Sequence, residues 1–327
     1  MPLKHWSFAG LMLTYWCNAR CSSCYLCCSP DRNEWMSLEQ ALGYWRSLSS
    51  ACPHGCRIHL SGGEPFGNWE LLIGLARAAR QEGLGPLEKV ETNAFWATDE
   101  AVIRRRIEAL DEAGMGKLTI SADPYHQQFV PRERPVLLAE IAKQILGAHR
   151  VQVRWLDCLA GAWEVPADQA GRAEVLASYA ATGRDRWVGR AAAAVACHLQ
   201  LKRPEELDDN PCGEPLLRSR HVHVDPQGRV MPGTCAGLVL GQACQGTIAE
   251  IWQRLNADYT NRPVVGTLVR GGPVALAKLA GEYGFVPGPG YAGKCHLCWE
   301  VRSFLATDPR ARGRLGDELE PAWLYGR

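Results

Sequence analysis

The sequence predicts an α/β fold built on a parallel sheet. Short apolar segments rich in β-forming residues alternate with amphipathic helical segments along the first part of the chain, and this alternation implies right-handed βαβ units and a parallel sheet, open or closed. Capping residues and glycines at the ends of several helical segments support the same order of elements. The length of 327 residues, with 46% hydrophobic content, allows a large core without disulfide bonds.

The elements follow one another regularly up to residue 156. Strands are predicted, in chain order, at residues 9–15, 57–60, 89–92, 117–121 and 151–156. Ser37 and Gln40 form a capping box, and Asn68 is a second N-cap, so each begins a helix. The helices that complete the alternation are predicted at residues 37–50, 69–82, 99–113 and 136–146.

The later part of the chain is less regular. Helices are predicted at residues 168–181, 191–199 and 248–255, and the acidic segment 204–211 is predicted to be a linker. Asp225-Pro226-Gln227-Gly228 has good turn chemistry and joins strands 221–224 and 229–231 in a predicted β-hairpin. A glycine- and proline-rich region without predicted helices then extends to Cys295, and the arginine-rich segment from Pro309 is predicted to be a solvated surface tail.

Composition excludes several classes of function. The 36 basic and 35 acidic side chains argue against a dedicated nucleic-acid-binding protein. No apolar run approaches the roughly eighteen residues that a membrane span needs. The apolar segment 6–17 is expected to be a buried strand rather than a signal peptide, because Tyr15 and Trp16 stand where small residues should precede Cys17. We therefore expect a cytoplasmic protein, in which clustered cysteines bind metal or carry redox chemistry.

Cys17, Cys21 and Cys24 form a C-x3-C-x2-C pattern on the loop that leaves the first strand. Thiolates so close in sequence converge on one metal centre, and their softness favours zinc or an iron–sulfur cluster. Three ligands leave one iron of a cluster with an open coordination position. Cys27 or Cys28 would close that position if either supplied a fourth ligand. A structural zinc loop is the alternative.

A second motif, Ser61-Gly62-Gly63-Glu64-Pro65, follows the second strand. Glycines let the backbone approach a ligand, and Glu64 supplies a negative charge for an ammonium group. Placed one βα unit after C-x3-C-x2-C, this motif resembles that of the radical S-adenosylmethionine (SAM) enzymes. The resemblance implies a partial (β/α)6 barrel of TIM type. It also implies a [4Fe–4S] cluster that chelates SAM through its unique iron, with Gly62, Gly63, Glu64 and Pro65 at the methionyl amino group.

Further positions resemble the family at the ends of later strands. Asn93, Ser121 and Asp123 follow the third and fourth strands and are expected near SAM, although Ala94 replaces a glycine common in relatives. The family usually has an aromatic residue before the third cysteine. Here Ser23 holds that position, and Tyr25 is expected to cover the adenine. Arg154 is a candidate for binding the SAM carboxylate, with an ordinary strand arginine as the alternative. Tyr125 and His126 are candidates on the substrate side, with a solvated loop histidine as the alternative.

Four later cysteines form another constellation: Cys212, Cys235, Cys295 and Cys298. Four thiolates suit zinc or [4Fe–4S], and Cys244 is a possible substitute for any of them. With the hairpin before Cys235, they resemble the SPASM/twitch extension of radical SAM enzymes, in the twitch form with one auxiliary [4Fe–4S] cluster. The expected division is a barrel at 1–200, a twitch-like domain of hairpin plus helix at 201–308 and a tail at 309–327.

The resemblance implies an enzyme that cleaves SAM reductively to a 5′-deoxyadenosyl radical, which abstracts hydrogen from a C–H bond. The expected partners are a small-molecule or peptide substrate and a flavodoxin- or ferredoxin-type electron donor, with no nucleic acid and no membrane. Oxidation, crosslinking and epimerisation all remain open, with Cys158 and Cys197 as conceivable hydrogen donors. The alternatives are a zinc-stabilised binding protein and a relative that binds SAM without radical chemistry.

Overall fold

One sheet organises the chain, whose computed structural model describes residues 2–52, 54–207 and 211–326. Within those residues the sheet has eight strands in the order β5-β4-β3-β2-β1-β6-β7-β8. Their bounds are β1 Phe8–Met12, β2 Arg57–Ser61, β3 Leu87–Thr92, β4 Lys117–Ser121, β5 Val151–Arg154, β6 His221–Val224, β7 Arg229–Pro232 and β8 Gly241–Gln242. Strands β1 to β6 are all parallel, whereas β7 and β8 are antiparallel. The predicted α/β class with a parallel sheet is confirmed, and the sheet is open.

Helices alternate with the parallel strands, and further helices follow the last strand of the sheet. In chain order they are α1 Leu38–Ala51, α2 Trp69–Gln81, α3 Glu100–Glu112, α4 Pro124–Gln127, α5 Glu133–Leu146, α6 Leu156–Leu159, α7 Gln169–Ala180, α8 Arg190–Ala194, α9 Ile248–Asp258, α10 Pro263–Gly281, α11 Lys294–Thr307, α12 Pro309–Leu315 and α13 Ala322–Tyr325. The capping box of Ser37 and Gln40 forms as predicted, and Asn68 accepts from the Leu71 amide at 3.1 Å. Each satisfies a helix amide that would otherwise lack a partner.

The two faces of the sheet differ in polarity because side chains alternate along each strand. Leu11, Ile58, Leu60, Val90 and Ile120 are fully buried apolar side chains, and burial of each contributes roughly 1.5–3 kcal/mol to folding. The alternate positions carry the polar residues His59, Lys89, Glu91, Ser121 and His223, which line a cavity. The apolar face belongs to the hydrophobic core, and the polar face lines the cavity.

The predicted hairpin forms from β6 and β7 and extends the main sheet. Strand β6 pairs in parallel with β1, from the pair Phe8–His221 to the pair Leu11–Val224. The hairpin therefore supplies the sixth parallel strand as well as leading to Cys235. The proposed division at residue 200 stays a prediction.

Two predictions for the later part of the chain are wrong. The glycine- and proline-rich region contains α10, which is broken at Gly272 and Pro273, and Cys295 lies in the first turn of α11. The tail from Pro309 is not a solvated surface segment, because Leu324 and Tyr325 are buried and Glu318 accepts from the amides of α10. The predicted linker includes a helical turn at Pro204–Glu206, and its residues 208–210 lie outside the described part.

Across the described residues, none of the helices combines the length and the apolar character that crossing a bilayer requires.

Candidate active site

A cavity of about 620 Å³ lies at the carboxyl ends of the parallel strands, where α/β folds place their ligands. It brings together most of the residues that the sequence singled out. They are Cys17, Cys21, Cys24, Tyr25, Gly62, Gly63, Glu64, Pro65, Asn93, Ser121, Asp123, His126 and Arg154. These residues come from the ends of five successive parallel strands, which explains how positions far apart in sequence share one cavity.

The cysteine loop after β1 is held by a residue from a distant helix. The amide of Arg190 donates to the Cys24 carbonyl at 3.1 Å, and its guanidinium donates to the carbonyls of Cys21 and Cys28 at 2.9 and 2.7 Å. A side chain at the preceding Gly189, where φ is +63°, would lie 2.6 Å from the Cys24 carbonyl oxygen. These contacts fix the backbone of the loop and leave the thiols of Cys17, Cys21 and Cys24 on the cavity wall.

Cys28 and Cys27 differ in their relation to this site. The buried thiol of Cys28 lies against Cys24 and lines the cavity, and their hydrogen bond lowers the pKa of Cys24 and raises that of Cys28. Cys27 has its sulfur 3.8 Å from the Leu324 carbonyl oxygen, beside the C-terminal segment. Of the two possible fourth ligands, Cys28 is therefore the one placed near the three-cysteine group.

Glu64 is a buried carboxylate, 1% exposed, on the cavity wall. Its Oε1 accepts from the Phe66 amide at 3.2 Å and from Thr92 Oγ1 at 2.9 Å, and its Oε2 accepts from the Asn93 amide at 2.6 Å. Burial raises the pKa of Glu64 to about 7, against the effect of these donors. Since a carboxylate offers about four acceptor sites, the group retains capacity for an ammonium ligand.

The two glycines of this motif allow the segment after β2 to pass close to the residues that precede Cys17. A Cβ at Gly63 would lie 1.9 Å from the Trp16 carbonyl oxygen, and one at Gly62, where φ is +126°, would lie 2.5 Å from the Thr14 carbonyl oxygen. Any side chain at either position would push the loop before Cys17 away from Glu64. The glycines therefore hold the cysteine loop and the carboxylate side by side.

Asn93 links the ends of β3 and β1. Its Nδ2 donates to Asn18 Oδ1 at 2.8 Å and lies 3.6 Å from Cys17 Sγ, within hydrogen-bond range for sulfur. The next residue, Ala94, has a φ of +66°, in the left-handed region that favours glycine. The backbone at Ala94 therefore has a conformation that glycine adopts more readily than alanine.

Asp123 and His126 form an ion pair after β4, in which Asp123 is buried and His126 is partly exposed. Asp123 Oδ2 lies 2.7 Å from His126 Nδ1, and its Oδ1 accepts from the amides of Tyr125 and His126 at the start of α4. Burial opposes charge on both groups, but their mutual attraction outweighs it, so the pKa of Asp123 is lowered and that of His126 is raised. Both line the cavity, whereas Tyr125 is buried against Tyr179 and is not part of the cavity wall.

The C-terminal cysteines come together from separate segments. Cys212 precedes β6, Cys235 follows β7, and Cys295 and Cys298 lie one turn apart on α11. Burial, together with a smaller effect of charge on other members of the group, raises the pKa of Cys212 to about 12 and that of Cys298 to about 11. None of the four belongs to the wall of the large cavity. The four predicted ligands therefore lie apart from the large cavity.

Neither cysteine group has the compact arrangement of a single-ion site. In the described part of the chain, only His59, His221 and His223 bring three possible ligand atoms within 4.8 Å of one another. A tetrahedral zinc with Zn–S distances of about 2.3 Å would set its sulfurs about 3.8 Å apart. By that measure, the closest approach of three possible ligand atoms within the described residues is that of the histidines.

Several cavity residues were not predicted from the sequence. They are His59, Lys89, Glu91, Arg184, Asp185, Arg186, Arg190, His221 and His223. Burial lowers the pKa of His221 to about 3 and also lowers that of His223, so both imidazoles are neutral at neutral pH. The alternation of His221 and His223 along the predicted strand was the available signal, because it places both side chains on one face.

Comparison with solved structures finds remote similarity over most of the chain. BtrN crystallised with AdoMet and 2-DOIA is 15% identical, with 83% of this chain and 89% of that chain covered and a TM-score of 0.49. Polyhistidine-tagged anSMEcpe with bound AdoMet is 12% identical, with 95% and 99% covered and a TM-score of 0.45. Native anSMEcpe with bound AdoMet and Cp18Cys peptide is 12% identical, with 95% and 98% covered and a TM-score of 0.37.

No protein-family model matches the chain, and no curated protein sequence matches it either.

Proposed function

We propose that this protein is a radical SAM enzyme. In this proposal Cys17, Cys21 and Cys24 bind a [4Fe–4S] cluster with one iron left open, and Glu64 binds the amino group of SAM. The observation that carries the proposal is that the cysteine loop after β1 and the Gly62-Gly63-Glu64 segment after β2 meet on the wall of one cavity.

The residues present fit such a cluster. Three thiols on one short loop that lines the cavity suit an iron–sulfur cluster, because such clusters are held by cysteine thiolates. Asn93 Nδ2, 3.6 Å from Cys17 Sγ, would donate to a ligand sulfur, and donors of this kind tune the reduction potential of a cluster. When bound, the cluster supplies the electron for reductive cleavage of SAM and thereby the radical chemistry of the family.

In this proposal the surrounding side chains bind and orient SAM. Glu64 is held by three donors, so its carboxylate is fixed before the ammonium group of SAM arrives, and little ordering is left for binding. Asn93, Ser121, Asp123 and Arg154 are proposed to contact the rest of SAM, with Tyr25 over the adenine. The Asp123 carboxylate is already paired with His126, so we assign His126 the role of positioning Asp123 and leave Tyr125 in the core.

The substrate is proposed to be a polar small molecule or a peptide segment. Besides Arg154, the cavity wall carries Lys89, Arg184 and Arg186, together with the carboxylates Glu91 and Asp185. This mixture of charges favours a ligand with anionic and hydrogen-bonding groups over an apolar one. Oxidation, crosslinking and epimerisation are all consistent with hydrogen abstraction in such a cavity, and the electron donor is proposed to be a flavodoxin- or ferredoxin-type protein.

We further propose that Cys212, Cys235, Cys295 and Cys298 bind an auxiliary [4Fe–4S] cluster. Four protein thiolates would saturate its coordination, and the electrostatic coupling among these cysteines supports their proximity. Arg302, 1% exposed, lies against Cys298 and donates to the Ala236 carbonyl at 2.8 Å. A buried guanidinium here would offset the negative charge of a thiolate-ligated cluster.

The test is anaerobic purification and iron–sulfur reconstitution, followed by reduction with dithionite in the presence of SAM. Mass spectrometry should detect 5′-deoxyadenosine from the wild type and none from Cys24→Ala. A Cys197→Ala variant, which changes an exposed thiol outside the cavity, is the matched control. A reconstituted protein that binds SAM but forms no 5′-deoxyadenosine would overturn the enzyme proposal and favour a SAM-binding relative.

One observation favours a second candidate, a protein stabilised by metal at closed cysteine sites. Cys28 lies against Cys24, where it is near enough to act as a fourth thiolate. In that case the N-terminal site has no open position. A colourless protein that retains stoichiometric zinc after anaerobic purification would support this candidate, whereas a brown protein containing iron and sulfide would exclude it.

A further inference from the structure

Three histidines converge on the polar face of the sheet. His59 lies on β2, and His221 and His223 lie on β6. One ring nitrogen from each lies within 4.8 Å of the others, and His59 Nε2 and His221 Nε2 are 2.9 Å apart. All three side chains line the large cavity.

The register of the sheet creates this convergence. Gly10 on β1 pairs with His59 on one side and with His223 on the other, so the two histidines flank a residue without a side chain. A Cβ at Gly10 would lie 2.3 Å from His223 Cδ2 and 2.4 Å from His59 Nε2. A second glycine, Gly233, makes room beside His221, where a Cβ would lie 2.2 Å from Nδ1. The rings therefore occupy space that glycines on two neighbouring segments leave open.

Glu91 adds a carboxylate behind the cluster. Its Oε1 lies 3.5 Å from His59 Nδ1, on the other side of the ring from the nitrogen that approaches His221. Histidines that bind metals usually direct the second ring nitrogen toward a carboxylate or carbonyl, which orients the ring and fixes its tautomer. Lys89, 2.6 Å from the same Glu91 oxygen, holds that carboxylate in place.

From this geometry we infer that His59, His221 and His223 form a binding site for a divalent zinc-class cation inside the cavity. Tetrahedral zinc with Zn–N distances of about 2.0–2.1 Å would hold its nitrogens about 3.3 Å apart, so modest ring movements would suffice. Imidazole suits zinc, and three protein ligands leave a fourth position open. Because all three histidines line the cavity, that position would accept water or an oxygen or nitrogen group of the substrate.

This inference does not depend on the iron–sulfur proposal, because the ligands are separate from both cysteine groups. Its test uses the reconstituted protein, in which iron occupies the cysteines, incubated with zinc sulfate and then desalted. We expect about one tightly held zinc per chain by elemental analysis, with nitrogen scattering at about 2.0–2.1 Å in the zinc X-ray absorption spectrum and no sulfur scattering at about 2.3 Å.

The variants His221→Gln and His223→Gln should each lose most of this zinc while retaining iron. Retained iron would show that the fold around the cavity persists. His198→Gln, which changes an exposed histidine outside the cavity, should bind zinc as the wild type does. The inference is overturned if the wild type retains no nitrogen-coordinated zinc, or if the His221 and His223 variants bind as much of that zinc as the wild type. Iron content measured on the same samples reports separately on the proposed function.

Discussion

The two cysteine groups of this molecule are built in opposite ways. Cys17, Cys21 and Cys24 belong to one short loop on the wall of a large cavity, whereas Cys212, Cys235, Cys295 and Cys298 are gathered from distant segments away from that cavity. A loop that supplies three ligands beside an open space leaves room for a cofactor at the metal. Four ligands assembled by the tertiary fold suit a site that the protein saturates by itself.

An arginine lies beside each cysteine group, and the two arginines have different partners. Arg190 donates to main-chain carbonyls of the first loop and lines the cavity, so it positions the backbone of that loop. Arg302 is buried and bonds to Ala236 and to the Tyr325 hydroxyl at 2.9 Å, so it joins the second group to the C-terminal segment. The first group depends on local loop geometry, and the second depends on the packing of the whole C-terminal part.

The largest expected effect separates the two groups by function. Cys24→Ala should abolish formation of 5′-deoxyadenosine and remove about half of the reconstituted iron, because in the proposed function only the N-terminal cluster has an open position for SAM. Cys212→Ala should also lose about half of the iron but should still cleave SAM. Iron analysis and mass spectrometry on both variants check this. Equal loss of SAM cleavage in the two variants would contradict the division of roles.

A smaller effect is expected at the carboxylate next to the first group. Glu64→Gln keeps the shape of the side chain but removes the charge that would bind the SAM ammonium. Loss of a charged hydrogen bond costs about 1.5–3 kcal/mol, so the Kd for SAM should rise roughly 10- to 100-fold. Isothermal titration of the reconstituted protein measures this, with Glu70→Gln, an exposed change on α2, as the control. Unchanged affinity would mean that Glu64 has only a structural role.

The smallest effects should distinguish the two arginines. Arg302→Met leaves the Ala236 carbonyl without its charged donor, so the free energy of unfolding should fall by about 2–3 kcal/mol, with loss of auxiliary iron. Arg190→Met should cost about 1–3 kcal/mol and should affect mainly the N-terminal iron. Thermal denaturation and iron analysis of each variant test this pairing. If both variants lost the same cluster, the two groups would not be independent.

The structural features that depend on residues close together in the sequence could be predicted from it. The C-x3-C-x2-C loop and the Gly62-Gly63-Glu64 turn are local patterns, and the parallel strands follow from a repeated βα alternation. The break at Gly272 and Pro273 concealed α10, because helix-breaking residues inside a segment argue against a helix even when both flanking halves are helical.

The sequence did not predict what depends on pairing between distant segments. The role of Arg190 requires its contact with a loop more than 160 residues earlier in the chain. The histidine cluster requires the parallel pairing of β6 with β1, which sets His223 across from Gly10 and near His59. Periodicity places His221 and His223 on one face, but only the strand order identifies the face that they share with His59.

The central claim is that the N-terminal group leaves one coordination position open, and Cys28 is the residue that could close it. Electron paramagnetic resonance of the reduced protein, with and without SAM, tests this directly when wild type and Cys28→Ala are compared in a Cys212→Ala background. We expect both proteins to hold the same iron and to show a changed cluster spectrum when SAM is added. Loss of the cluster in Cys28→Ala, or a spectrum that SAM leaves unchanged in both proteins, would contradict the claim.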